Sequence, residues 1–268
     1  MSAKGIKLAV SGKGGVGKTT VAALLIRHMA KQGMRVLAID ADPVASLGGA
    51  LAMPDHEKIE PIANMKDLIF ERTGAKPGTM GGFFKMNPRV DDIPEKLAAV
   101  QGNIHLMVMG TVDHGGSGCV CPESILLKNL VQHLLLYNDD ALVLDMEAGV
   151  EHLGRATARA VNLMLVVVEP GARSIQAAKL VRKLAAEIGI DQLAVVANKV
   201  RGPEDEQAIA GALEGFEILG YLPYDPKFVE ADLAGKLVYE DEDKMPEHIL
   251  TVMHSVFSRA SSKSSADS

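Results

Sequence analysis

The chain has 268 residues, a formal net charge of −6 at pH 7 and 47% apolar residues. Its acidic balance provides no overall field for nucleic acid or an anionic lipid surface, and two cysteines are too few for a disulfide-stapled secreted scaffold. The opening MSAKGIKLAV enters a strand pattern without a secretory core, and apolar runs such as LMLVVV at 163–168 are too short to span a bilayer. A cytoplasmic location is expected, with neither membrane nor nucleic acid as a partner.

In chain order, residues 7–11, 36–40, 104–109, 141–145, 163–168 and 193–197 are aliphatic runs bounded by turn residues and predict buried strands, with 218–222 a weaker seventh. Helical patterns fall at 19–31, 123–136, 154–161, 174–188 and 203–214, and Gly33 and Gly189 are helix stops. This alternation predicts a single-domain α/β fold over 1–260, a mostly parallel sheet flanked by helices, with 261–268 (SSKSSADS) a disordered tail. Ligands of such sheets gather beyond the carboxyl ends of the strands. Residues 53–98 break the rhythm as a long irregular section. Within it, the stretch GTMGGFFKM at 78–86 either forms a partner surface or folds its Met and Phe back onto the body. Ile249, Val252, Met253, Val256 and Phe257 make a helical stripe, expected to pack on the core.

The strongest motif is Gly12-Lys13-Gly14-Gly15-Val16-Gly17-Lys18-Thr19-Thr20, between a strand and a helix. Its spacing satisfies the phosphate-loop pattern. Glycines let successive amides wrap phosphates, Lys18 reaches the β and γ oxygens, and the Thr19 hydroxyl meets Mg²⁺. Asp40-Ala41-Asp42-Pro43 ends the second predicted strand and Asp145-Met146-Glu147-Ala148-Gly149 the fourth. Acids there can orient an attacking water or hold magnesium through water; Asp40 suits a structural or magnesium role.

Cys119-Val120-Cys121 follows Gly115-Gly116-Ser117-Gly118 and holds both thiols of the chain. Two thiolates are half of a tetrahedral site, which a second copy would complete, so a metal ion bridging a homodimer is expected. Pro122 suits the first turn of a helix, whose positive end favours the Cys121 thiolate. Sulfur ligands leave Zn²⁺ and Ni²⁺ both open. Asp113 and His114 lie nearby in sequence.

Lys13, a second lysine at the start of the loop, makes the chain resemble the deviant Walker A ATPases, which include nitrogenase iron protein, the arsenite pump ATPase, MinD and ParA. The resemblance implies an ATP-sandwich homodimer in which Lys13 reaches the partner's nucleotide. It further implies that Asp42 orients water, Asp145 holds the magnesium shell, the Gly149 amide senses the γ-phosphate, and Asn198-Lys199 and Pro223 border the adenine. The catalytic set is then Lys13, Lys18, Asp42 and Asp145. The cysteine segment, with 145–155, resembles the CooC-type subgroup, which matures the nickel enzyme carbon monoxide dehydrogenase. That implies an ATPase and metallochaperone with the carbon monoxide dehydrogenase apoenzyme as client. An iron-sulfur cluster carrier and a MinD or ParA type positional switch are the alternatives.

Overall fold

The computed structural model describes residues 5–75, 84–110, 122–147, 149–150, 153–239 and 244–264. Its strands are β1 (Lys7–Ser11), β2 (Val36–Ala41), β3 (Ala99–Gln101), β4 (Ile104–Val108), β5 (Ala141–Met146), β6 (Leu163–Val168), β7 (Leu193–Val200) and β8 (Glu217–Pro223). They form one sheet in the order β3-β4-β2-β5-β1-β6-β7-β8, parallel throughout except where β3 pairs with β4. The helices are α1 (Lys18–Lys31), α2 (Leu47–Ala50), α3 (Lys66–Thr73), α4 (Ile93–Leu97), α5 (Pro122–Tyr137), α6 (Arg155–Ala158), α7 (Ala172–Ile188), α8 (Pro203–Ala212), α9 (Lys227–Leu233) and α10 (Glu247–Ser264).

The continuous aliphatic strands are buried because helices cover both faces. Successive side chains alternate between two apolar layers. Leu8 and Val10 of β1 join Ala22, Ile26 and Met253 on the α1 and α10 side. Ala9 joins Leu126, Leu130 and Val181 on the α5 and α7 side. One buried cation completes this second layer: Lys7 Nζ donates to the Leu134 carbonyl at 3.0 Å and to that of Asn138, satisfying the last turn of α5 with a charge of the right sign.

Three departures from expectation have local causes. The 53–98 section contains α3 and α4, joined by a bidentate pair from Arg72 to Asp92 at 2.9 and 2.8 Å that holds the Asp92 carboxyl well below the usual range. β3 is short and largely exposed, so no apolar alternation marks it. α10 continues through Ser264, four residues past the expected boundary at 260; Ser261 and Ser262 donate to the carbonyls of Phe257 and Arg259, which accommodates serine in the helix. Ile249, Val252, Met253 and Val256 are buried in the core as the stripe predicts. Of the 78–86 stretch, only residues 84–86 are described; Phe84 is partly buried and Met86 exposed. Among the described residues no helix is long and apolar enough to cross a membrane.

α10 crosses β8 at Gly220, where an added Cβ would lie 2.5 Å from Val252 Cγ2. Gly220→Ala is therefore expected to cost about 1–3 kcal/mol by forcing the helix from the sheet, read as a lower urea midpoint with an unchanged slope.

Candidate functional site

β1 ends at Ser11, and the chain turns through residues 12–17 into α1. Two close approaches make the turn depend on glycine. A Cβ on Gly12 would lie 2.3 Å from the Val167 carbonyl oxygen, and one on Gly17 would lie 2.2 Å from Asn198 Nδ2, where φ is also +94°. The loop is tied down from β7 as well. Asn198 Nδ2 donates to the Val16 carbonyl at 2.9 Å, while Lys199 Nζ donates to the Gly15 carbonyl and to Glu169 Oε2 at 3.3 Å. With those carbonyls occupied, Gly14, Gly15, Gly17, Lys18, Thr19 and Thr20 line an open cavity of about 500 Å³. The first amides of α1 have no intrahelical partner, so the cavity floor suits an anion.

Acids converge on this loop from two neighbouring strands. Asp40 of β2 is fully buried, and its carboxylate accepts from the amides of Asp42 at 3.2 Å, Ser46 at 2.9 Å and Leu47 at 2.8 Å. Burial nonetheless raises its carboxyl above the ordinary value, against the pull of those amides. Its role here is to shape the 42–47 turn. Asp42 is partly exposed, lines the cavity and accepts from the Val44 amide at 3.0 Å.

Asp145 of β5 is also fully buried, yet neither of its oxygens has a hydrogen-bond partner among the described residues. Burial pushes its carboxyl up to about 7; nearby Thr19, without hydrogen-bond geometry to it, and Lys18 oppose the rise, while Asp40 and Asp42 add to it. Thr19 Oγ1 instead meets Ser46 Oγ at 3.3 Å. Unpartnered oxygens beside a hydroxyl at a phosphate loop are a donor set that fits a hydrated Mg²⁺, which takes few protein ligands and keeps several waters.

Beyond Asp145 the chain is hooked to β1. Ser11 Oγ donates to the Gly149 carbonyl at 2.9 Å and accepts from the Gly149 amide at 3.2 Å. At the other end of the cavity, Pro223, Tyr224 and Asp225 form a wall, with the Arg201 guanidinium 5.9 Å from the Tyr224 ring centre. The cavity extends along α1 past Leu24 and Arg27 to Phe228 of α9 and Ile249 of α10.

Residues 7–238 match the family model described as the CobQ/CobB/MinD/ParA nucleotide binding domain. The chain belongs to this nucleotide-binding family. It is 45% identical over 237 residues to the carbon monoxide dehydrogenase accessory protein CooC of Rhodospirillum rubrum, covering 88% of this chain and 90% of that protein. An uncharacterized ATP-binding protein of Methanocaldococcus jannaschii is 47% identical over 239 residues, 88% of this chain and 92% of its own. The fold is shared with MinD of Pyrococcus horikoshii in complex with Mg-ADP, at a TM-score of 0.66 and 19% identity over 96% and 97% of the two chains. A chain of the MinC:MinD cell division protein complex of Aquifex aeolicus gives 0.66 and 21% over 94% and 95%.

Within this family fold, Gly12 to Thr20, Asp42, Asn198, Lys199 and Pro223 border one cavity or its loop, with Asp145 buried close behind. Lys13 is partly buried on the loop. Asn198 and Lys199, expected at the adenine, have their side-chain nitrogens on the phosphate loop. Cys119 and Cys121 lie outside the described residues, as do Asp113 and His114. Among the described residues no group of three or more His, Cys, Asp or Glu forms a metal cluster. Ser11, Ser46 and Glu169 were not singled out by sequence. Ser11 directly precedes the glycine motif, but its partner is 138 residues away.

The Asp145 carboxyl titrates at 3.8 in an unperturbed chain and near 7 in the fold. Its contribution to stability is therefore fully present below about pH 4 and lost as pH rises through 7. Asp145→Asn without nucleotide or Mg²⁺ is expected to be more stable than wild type at pH 8, by at least about 1 kcal/mol relative to the difference at pH 5. Urea unfolding at the two pH values measures this, and Mg²⁺-dependent nucleotide affinity should fall in the same variant.

Proposed function

We propose that the chain is an ATP-hydrolysing, cytoplasmic homodimer that binds a nickel or zinc ion between two Cys-x-Cys loops and assists nickel insertion into the carbon monoxide dehydrogenase apoenzyme. The observation that carries this reading is the 45% identity to CooC across 88% of this chain and 90% of that protein. Cys119 and Cys121 fall inside the matched family region, which spans residues 7–238. Identity to the two solved structures is much lower, 19–21%, and speaks for the fold alone.

The chemistry assigned to the site is positioning and charge neutralisation, which is most of what phosphoryl transfer asks of a protein. Loop amides and Lys18 cradle the β and γ phosphoryl oxygens. Asp42, at the exposed end of β2, orients the attacking water, and Lys13 crosses to the partner's nucleotide. Mg²⁺, when bound, neutralises charge on the phosphoryl oxygens; Thr19 would hold it, with Asp145 holding its water shell. The base rests between the Asn198 side and Pro223. Lys18 is buried at the start of α1, whereas Lys13 is only partly buried on the loop, which is compatible with separate duties.

The transported ion is the cargo of this cycle. Thiolates at Cys119 and Cys121 of two protomers provide four sulfurs, a set that suits a soft or borderline ion. ATP draws the protomers together, and the thiols then share the ion. By linkage the ion must favour the nucleotide-closed dimer by the same factor.

Lys13→Ala is expected to bind nucleotide within about twofold of wild type and to lose about 100-fold or more in turnover, given the size of trans-acting cation effects on phosphoryl transfer. Turnover measured across protein concentrations tests this; wild-type rates at every concentration would remove the cross-dimer lysine. Metal content per dimer, measured anaerobically by elemental analysis with ADP and with ATP, tests the cargo site. One ion per dimer, lost in both Cys119→Ala and Cys121→Ala, is the expected result, and unchanged content in both variants would discard the shared site. A visible absorption band after anaerobic iron and sulfide reconstitution would transfer the site to a cluster.

A further inference from the structure

β1 and β5 run side by side and parallel, with Val10 opposite Asp145, so the residue after Val10 lies at the point where β5 leaves the sheet. That residue is Ser11, fully buried. Its hydroxyl satisfies both backbone groups of one residue, accepting from the Gly149 amide at 3.2 Å and donating to the Gly149 carbonyl at 2.9 Å. Gly149 is held at φ +136°, a backbone state that a side chain at this position would oppose. The same hydroxyl lies 3.5 Å from the Glu147 carbonyl, a second acceptor toward which its single proton can turn.

We propose that Ser11 is a positioning residue that sets how strongly the site distinguishes ATP from ADP, by occupying the Gly149 amide until a γ-phosphate competes for it. The inference rests on the ATP reading above, together with the γ-phosphate contact that the family resemblance implies for that amide. An amide already bonded inside the protein must surrender that bond before it can donate to a ligand, so the latch weakens ATP binding and leaves ADP, which has no γ-phosphate, unaffected. The Ser11 hydroxyl is not stranded by the exchange, because its proton can pass from the Gly149 carbonyl to that of Glu147. Two protein-internal arrangements of one hydroxyl thus accompany the two nucleotide states. Direct involvement of Ser11 with phosphate is not required, since it is covered by protein at the root of the loop.

The direction of the expected effect is unusual for loss of a buried hydrogen bond. Removing the hydroxyl should strengthen binding of the triphosphate, because the competing internal partner has gone. A purely structural serine would lower affinity for both nucleotides together and leave their ratio alone.

The experiment measures equilibrium binding of ADP and of an ATP analogue with a non-hydrolysable β–γ bridge, with Mg²⁺, to the full-length wild type, Ser11→Ala and Ser11→Cys. The expected result is a rise of about fivefold in the analogue-to-ADP affinity ratio for Ser11→Ala, the size that follows from one net hydrogen bond, with Ser11→Cys between it and wild type. The cysteine variant keeps a weak donor and carries the comparison if the alanine variant is too unstable to titrate. Amide hydrogen exchange is the second readout. Protection at Gly149 should fall in the ADP-bound variants and return with the analogue. An unchanged or reduced ratio, or unchanged Gly149 protection in the ADP state, overturns the latch. Failure of wild type to bind either nucleotide would instead overturn the ATP reading, and the latch with it, so the two failures are separable.

Discussion

Asp145 is a carboxyl group buried at the end of a central strand with no hydrogen-bond partner among the described residues, and the site is arranged around that constraint. Burial makes ionisation unfavourable there, and the neighbouring Asp40 and Asp42 make it more so. Lys18 and Thr19 are close enough to oppose the effect only in part. The fold accommodates this local cost because the surrounding strands β1, β5 and β6 are buried along their whole lengths. Phosphate and a hydrated cation would supply what the protein leaves incomplete, so nucleotide binding and stability are expected to be linked.

Strand order brings the parts together. β1 leads into the phosphate loop, β5 beside it carries Asp145, and β2 on the far side of β5 carries Asp40 and leads into Asp42. On the opposite flank β6 presses a carbonyl against Gly12, while β7 sends Asn198 and Lys199 back to hold the loop from behind. Past Gly149 the chain enters α6, which packs against α5, and α5 begins at Pro122, the residue after Cys121.

Different parts of the molecule were legible in the sequence to different degrees. The buried strands, α1 and the α10 stripe were readable from local periodicity, because burial on a particular face demands apolar residues at fixed spacing. α3, α4 and β3 were not, since they are short and the contact that joins α3 to α4, Arg72 with Asp92, spans 20 residues without leaving a pattern. Family resemblance led us to expect Asn198 and Lys199 at the adenine; their hydrogen bonds to Val16 and Gly15 of the phosphate loop were not anticipated. Each joins residues more than 180 positions apart.

The amino-acid sequence by itself determined the alternation of strands and helices, the glycine-rich turn with Lys18 and Thr19, and the presence of two thiols one residue apart. These depend on neighbours in the chain: on period, on backbone freedom and on the reach of adjacent side chains. Only the tertiary structure decided that Asp40 caps a turn while Asp145 stays unpartnered among the described residues, and that Ser11 grips Gly149. Those outcomes depend on which strands lie side by side and how closely they approach. Strand order is a property of the whole packed sheet, and no local run of residues expresses it.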